Sequence, residues 1–433
     1  MPEESKVSVS ETHLKKIEKK VENLKNLIEV SAIISSTLDL KDLMPLVMEK
    51  AKNIIDAEAC SILFYNKETN KLEFEIALCE DESTSETLKK KITLDMGQGI
   101  AGWVAAHQKE LIINDVKADS RFYQEADKLT GFTTKSLIAL PLIGRSGLIG
   151  VAEILNPKKQ DYDLEILKIL SMQFAIAIEN ALYHRESIEK ERLRQELEIA
   201  SAVQKSFLPE SPTFKKGNIM VSAVNIPATQ VGGDIYDFIE PVNGKVGVLI
   251  GDVSGKGVSA ALYMAKFISD FRYVAHKMDA PEVTLNHLNS LLLHAPRGMF
   301  LTAIYMIADV YRGSLHLSVA GHPPFLWLTK DEVRVMDIRS GPPLGILPAD
   351  YPTTELSLER GDRLLLLTDG VFEAKNREGE RIGFEKLVRF IKNHKDEDQL
   401  IQLIIDYVND FSKGMERFDD LTIVEVQWER TIR

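Results

Sequence analysis

Five aspartates in the C-terminal half stand where a carboxylate is costly. Asp234 follows two glycines in VGGDIYDF, and Asp252 ends the apolar run of VGVLIGDVSGKG. Asp369 follows LLLLT in LLLLTDGVFEA, and Asp419 and Asp420 precede the apolar run of RFDDLTIVEV. VGVLI and LLLLT are continuous apolar runs, so the acid after each emerges from a buried strand. A carboxylate there costs several kcal/mol unless it is paired or bound to a cation. Lys256 lies near one of these places and Arg417 near another. Oxygen donors without His or Cys select hard ions, Mg²⁺ or Mn²⁺, over Zn²⁺. Taken singly, each place has an ordinary reading: Asp-Gly as a turn, a double Asp as a helix cap or solvated loop, the glycines of VGGD as turn residues. Their recurrence in one stretch, two of them on neighbouring strands of an expected hairpin, favours convergence on one site.

The stretch IGDVSGKGV also invites comparison with a phosphate-binding P-loop, which needs G-x-x-x-x-G-K-[ST]. Ile250 stands where the first glycine belongs, and Gly257 where Ser or Thr belongs. The template fails at two required positions.

The elements that must position these acids can be read along the chain. A chain of 433 residues predicts two to three domains. Its net charge of −12 argues against nucleic acid as the partner. The N-terminus MPEESKVSVS lacks a signal-peptide core, and no apolar run approaches the roughly 20 residues of a membrane span. A cytoplasmic protein is expected, without integral membrane contact. Cys60 and Cys79 have no metal-ligand spacing and read as reduced thiols.

Residues 1–30 hold an N-terminal helix, with Leu14, Ile17, Val21, Leu24 and Ile28 as a short coiled-coil seam or as one face of an amphipathic helix. Residues 31–183 read as helix, strands, helix: ACSILFYN and KLEFEIAL flank one hairpin turn, and SLIALPLI and GLIGVAEILN flank another. Residues 184–212 form a helical linker with Leu193, Leu197, Ala200 and Phe207 in heptad phase and polar Gln204 interrupting it; this seam either joins two protomers or packs on a neighbouring domain. Pro209 and Pro212 end it. Residues 213–430 are strands in two runs with paired helices between and after them, a layered α+β sandwich.

VGGDIYDF, GDVSGKGVSAAL, AGHPP, GPPLGI, LLLLTDGVFEA, GERIGFEKL and DDLTIV, in this order, resemble the sporulation-E/RsbU-like branch of the metal-dependent (PPM, 2C-type) protein phosphatases. The resemblance implies an α/β/β/α sandwich with a centre of two Mn²⁺ or Mg²⁺ ions. It places Asp252 as the bridging carboxylate, and Asp234 and the Val253 carbonyl beside the first ion. Asp369 and Asp419 fall on the second ion, and Asp420 is the weaker candidate of its pair. Asp252, Asp234 and Asp369 are thereby the catalytic acids, and Gly233, Gly251 and Gly370 allow close backbone approach. No arginine before Asp234 matches the phosphate-gripping arginine of the eukaryotic branch; Lys215 and Lys216 are near but unmatched. His322 in AGHPP reads either as a general acid or as a turn histidine that fixes a loop.

Residues 31–183 resemble a GAF domain through AEACSILFYN, GQGIAGWVAAH, SLIALPLI and GLIGVAEILN, which implies small-ligand sensing or dimerisation. Asn156 and Lys158 begin a cyclic-nucleotide signature that lacks its Phe and Asp-Glu pair, so cyclic nucleotide is not the expected ligand. Together the resemblances imply a multidomain α+β chain, and a dimeric serine/threonine phosphatase controlled through its GAF domain and linker. It would act with metal-activated water on a phosphoprotein such as an anti-sigma-factor antagonist. The barrier to be overcome is large, since phosphate-monoester hydrolysis asks a site for on the order of 20 kcal/mol. Two other readings stand beside this one: a non-catalytic ligand-sensing scaffold, and a metal-dependent nucleotide phosphohydrolase.

Overall fold

The computed structural model describes residues 40–78, 92–158, 164–241, 244–294 and 298–429, with six isolated helical positions before residue 40. The expected N-terminal seam lies outside the described residues apart from positions such as Leu14, Val21 and Ile28, which are exposed; Cys79 lies outside them too. The chain divides into two compact units, residues 1–192 and 193–433.

The first unit is one antiparallel sheet of six strands. Its strands are β1 (Ala57–Asn66), β2 (Lys71–Leu78), β3 (Thr93–Asp95), β4 (Leu111–Ile113), β5 (Leu137–Gly144) and β6 (Gly147–Pro157), ordered β3-β2-β1-β6-β5-β4. Both expected hairpins form, with Asn66 opposite Lys71 and Gly144 opposite Gly147. Strand residues alternate between two faces. Ile62, Ile138 and Ile154 pack on the helix Leu40–Ile55 and on Leu167, Phe174 and Ile178. Leu63, Leu137 and Val151 pack on the helix Gly99–His107. Cys60 is buried, its thiol donating to the Met48 carbonyl at 3.4 Å.

The helix that follows β6 runs without a break from Leu164 to Lys205, so the closing helix of the first unit and the expected linker are one element of 42 residues. The expected heptad face turns inward at its C-terminal end. Leu197, Ala200 and Gln204 are partly buried, and Phe207 lies past the helix end, packed on the second unit's own core. The exposed apolar residues Ile188, Ile199 and Val203 lie on another face, within about 60° of one another at 3.6 residues per turn.

The second unit stacks two sheets. One holds β9 (Ile235–Ile239), β10 (Val246–Val253), β11 (Leu301–Ala308), β12 (Ser314–Ala320) and β15 (Thr353–Ser357), in the order β15-β12-β11-β10-β9. The other holds β7 (Thr213–Lys216), β8 (Ile219–Ile226), β13 (Phe325–Leu328), β14 (Val333–Met336), β16 (Arg363–Leu367) and β17 (Leu421–Trp428), in the order β14-β13-β16-β17-β8-β7. Short β7 and β15 carry no apolar run and are absent from the sequence reading. The continuous apolar runs are explained by burial on both faces. Val248, Ile250, Leu364 and Leu366 meet between the sheets. Leu249 faces the helices Val258–Ala275 and Pro281–Leu292, while Leu365 and Leu367 face the helices Phe384–Asn393 and Leu400–Phe411. The result is the expected helix/sheet/sheet/helix sandwich.

Candidate metal centre

Strand direction brings the acids to one end of the sandwich. β9 begins where antiparallel β10 ends, Ile235 opposite Gly251, so Asp234 and Asp252 are neighbours in one sheet. β16 ends where β17 begins, Leu367 opposite Ile423, so Asp369 stands near Asp419 and Asp420 in the other. Two threonines join the sheets across this end. Thr368 and Thr422 both donate their hydroxyls to one oxygen of Asp234, at 2.7 and 2.6 Å.

The electrostatics show how closely the acids are gathered. Asp234 is buried, and its carboxyl is pushed far above the usual range by burial first, then by Asp252 and Asp420. Burial, then Asp369, Asp419 and Asp420, push Asp252 up to about 7, opposed by a hydrogen bond with Asp234. Asp369 is raised by burial and then by Asp419 and Glu373. This cluster holds more carboxylate than it can keep ionised. Among the described residues no three acids have closed around a single point. Asp419 is instead turned to Lys256, at 3.0 Å.

Asp420 has a different set of partners. One of its oxygens accepts the Ala228 amide at 2.7 Å, and the other accepts the Gly233 amide at 2.6 Å. It spends its carboxylate on the loop that carries Asp234. Asp419, in the bend before β17, accepts the Asp420 amide at 3.1 Å. Two glycines make this packing feasible. A Cβ on Gly370 would sit 1.9 Å from the Asp420 carbonyl oxygen, closer than any rearrangement of side chains could relieve. A Cβ on Gly233 would come within 3.0 Å of the Val253 carbonyl, the backbone oxygen expected beside the first ion.

The same loop is held from its other side. Gln204, at the end of the long helix, accepts the Gly232 amide at 3.0 Å and donates to the Gly232 carbonyl at 2.5 Å. Arg272 pairs with buried Asp237 at 2.7 Å and donates to the Phe207 carbonyl at 2.8 Å, fixing the chain just beyond the helix. The sequence did not mark Thr368 and Thr422 as site residues, and it showed Gln204 only as an interruption of the heptad. The threonines flank the acids in LLLLTDG and DDLTIV, but nothing local shows that both point at Asp234. His322 is buried, bonds the Thr302 hydroxyl at 2.9 Å through Nδ1, and is pushed by burial down to about 3. It is neutral at physiological pH and suits the loop-fixing role, since Thr302 pairs with Asp252 across β10 and β11.

The donor set fits hard cations: Asp234, Asp252, Asp369, Asp419 and the Val253 carbonyl are all oxygen, and positive charge there would relieve the repulsion that raises Asp234, Asp252 and Asp369. Comparison with known proteins bears on both halves of the chain. Residues 243–429 match the family model of Stage II sporulation protein E (SpoIIE), and residues 37–179 match that of the GAF domain. Residues 37–179 are thus similar to GAF domains, and residues 243–429 to the SpoIIE family. Protein IcfG of Synechocystis sp. is 28% identical over 264 residues, covering 54% of this chain and 41% of that protein. Phosphoserine phosphatase RsbU of Bacillus subtilis is 28% identical over 204 residues, covering 46% of this chain and 60% of RsbU. The solved SiaA-PP2C domain of Pseudomonas aeruginosa has a TM-score of 0.49 and 18% identity, covering 56% of this chain and 99% of that domain. The chain spans less than two thirds of the length of these curated relatives. Within the SpoIIE-type domain, the matched span takes in Asp252, Asp369, Asp419 and Asp420 and begins after Asp234.

Proposed function

We propose that this chain is a metal-dependent serine/threonine phosphoprotein phosphatase of bacterial, cytoplasmic signalling, governed by its GAF domain. The observation that carries this reading is the gathering of Asp234, Asp252, Asp369 and Asp419 at one end of the sandwich, with Thr368 and Thr422 tying the two sheets together through Asp234. Asp234, Asp252, the Val253 carbonyl, Asp369 and Asp419 would hold two Mn²⁺ or Mg²⁺ ions. Such a pair of ions supplies an activated water and neutralises phosphoryl charge. The chain's own contribution is placement. Thr368 and Thr422 orient Asp234, Asp420 and Gln204 fix its loop, and Gly233 keeps the Val253 carbonyl clear. A phosphorylated regulator resembling an anti-sigma-factor antagonist fits as substrate, as the similarity to RsbU, a phosphoserine phosphatase, supports.

The GAF domain contains a small cavity of about 70 Å³. Ser61, Phe74, Ile100, Tyr123, Asp127 and Glu153 are among its lining residues. Ser61 donates to one oxygen of Glu153 at 3.0 Å, and the other makes no hydrogen bond among the described residues. No Lys, Arg or His lines the cavity among those residues. The ligand this suits is small and largely apolar, presents a hydrogen-bond donor, and carries no anionic group. The exposed Ile188, Ile199 and Val203 support pairing of the long helix with a second copy.

Asp252→Asn tests the enzymatic reading. Hydrolysis of a phosphoserine peptide with Mn²⁺ should vanish while the circular-dichroism spectrum is kept. Parental turnover by the variant would show that Asp252 has no part in the chemistry. Turnover of nucleotides in preference to the peptide would favour the nucleotide hydrolase.

A further inference from the structure

Beside Asp419 and Gly370 the surface opens into a cleft of about 560 Å³, counting its mouth. Phe418 lies in its wall, 55% exposed, a large apolar ring left in solvent next to the metal centre. Two lysines from separate loops converge on this ring, with Nζ of Lys256 3.7 Å and Nζ of Lys375 4.5 Å from its centroid. Lys256 also reaches Asp419 and the Phe418 carbonyl. Lys375 has no ion pair among the described residues. Half-buried Arg417 lines the same cleft and donates to Asn409 at 2.9 Å. Of the cleft's other acids, Glu373 is paired with Arg381 at 2.6 Å, leaving Glu416 without an ion pair among the described residues. On a chain of net charge −12, Lys375 is held against an exposed aromatic ring with no carboxylate partner among the described residues.

We propose that this cleft docks the residues flanking the phosphorylated side chain of the substrate and selects an acidic phosphoserine or phosphothreonine segment. Lys375 and Lys256 supply positive charge to neighbouring carboxylates, and Phe418 supplies the apolar floor. An extended peptide advances roughly 3.3–3.6 Å per residue. With the phosphoryl group at the aspartate cluster, residues one to three positions away therefore fall over a cleft whose wall includes Asp419 itself. Complementary charge at such a rim acts on encounter and on choice of partner. This inference rests on the phosphatase reading and names the substrate class of that site.

Lys375→Met is the cleaner perturbation, because Lys375 contacts none of the groups assigned to the metals. The probes are two short synthetic phosphoserine peptides, one flanked by Asp and Glu and one by Lys and Arg, with p-nitrophenyl phosphate as a substrate lacking flanks. With Mn²⁺ the parental protein should favour the acidic peptide through KM, and the preference should shrink as salt is raised. Lys375→Met should raise KM for the acidic peptide about fivefold, with kcat held within about twofold, and affect p-nitrophenyl phosphate less. Phe418→Ala should shift KM in the same direction. Equal KM for both peptides in the parental protein, or an equal loss on p-nitrophenyl phosphate in Lys375→Met, would overturn the docking role alone. No turnover of any of the three substrates by the parental protein would refute the phosphatase reading and this inference with it.

Discussion

Asp419 and Asp420 are adjacent and chemically identical, yet one pairs with Lys256 while the other accepts two loop amides, and removing each in turn separates their proposed roles. Asp420→Ala strips acceptors from the Ala228 and Gly233 amides, bonded at 2.7 and 2.6 Å. Charge-assisted bonds of this kind contribute about 1.5–3 kcal/mol each, so the direct loss is about 3–6 kcal/mol. Removing the charge also relieves repulsion on Asp234 and Asp252, both of which Asp420 raises. That relief returns on the order of 1 kcal/mol. The net cost, about 2–5 kcal/mol, corresponds to a fall in Tm of about 4–20 °C for a domain of this size. Asp419→Ala removes a partly exposed pair with Lys256, worth at most about 1 kcal/mol, and shifts Tm by no more than about 3 °C. Thermal unfolding of the full chain in chelator gives the stabilities, and calorimetric titration with Mn²⁺ gives the metal. The expected pattern is a destabilised Asp420→Ala and a stable Asp419→Ala that has lost one ion. An Asp420→Ala protein with parental Tm and a lost ion would make Asp420 a ligand and refute its assignment to the loop.

Gln204→Ala leaves both polar groups of buried Gly232 unpaired, so Mn²⁺ affinity should weaken about three- to tenfold with the mass in solution unchanged. An unchanged titration would show that the helix end has no hold on the metal loop. Burial, opposed by the Ser61 hydrogen bond, pushes Glu153 from an ordinary 4.5 up to about 7. A raised acid contributes stability that is fully present below the unfolded value and is lost as pH rises through the folded one. Hydrogen-exchange protection of β1 and β6 should therefore decline between about pH 4.5 and 7, by up to about 3 kcal/mol, and Glu153→Gln should flatten that decline. A parental profile flat over this window would contradict it.

The acids were legible because a continuous apolar run followed by Asp breaks the rules of a buried strand at one point, and the chain does this repeatedly. The hairpins were legible because turn residues separate runs of strand period. What stayed hidden depends on residues remote in sequence. Asp420 and Gly233 are 187 positions apart, and Thr422 and Asp234 are 188 apart, so their contacts exist only once the two sheets have stacked. Gln204 was legible as an interruption in a heptad, but its reason was not: a polar side chain on an apolar stripe reads as a specificity device between helices until the loop it grips is seen. The seam at Leu197 and Ala200 stayed open between its two readings for the same reason, since a short apolar stripe does not say whether its partner is another copy or its own domain.

The 1.9 Å approach at Gly370 has a consequence beyond this chain. Every single-base change that replaces this glycine installs at least a methyl group against a main-chain oxygen, and the two turns carrying Asp369 and Asp419 are forced apart. A genome sequence that shares the rest of the LLLLTDG and DDLTIV pattern but differs at that one codon would encode a sandwich whose acids have to be arranged by another route, and it should not be credited with this chemistry on the strength of its aspartates.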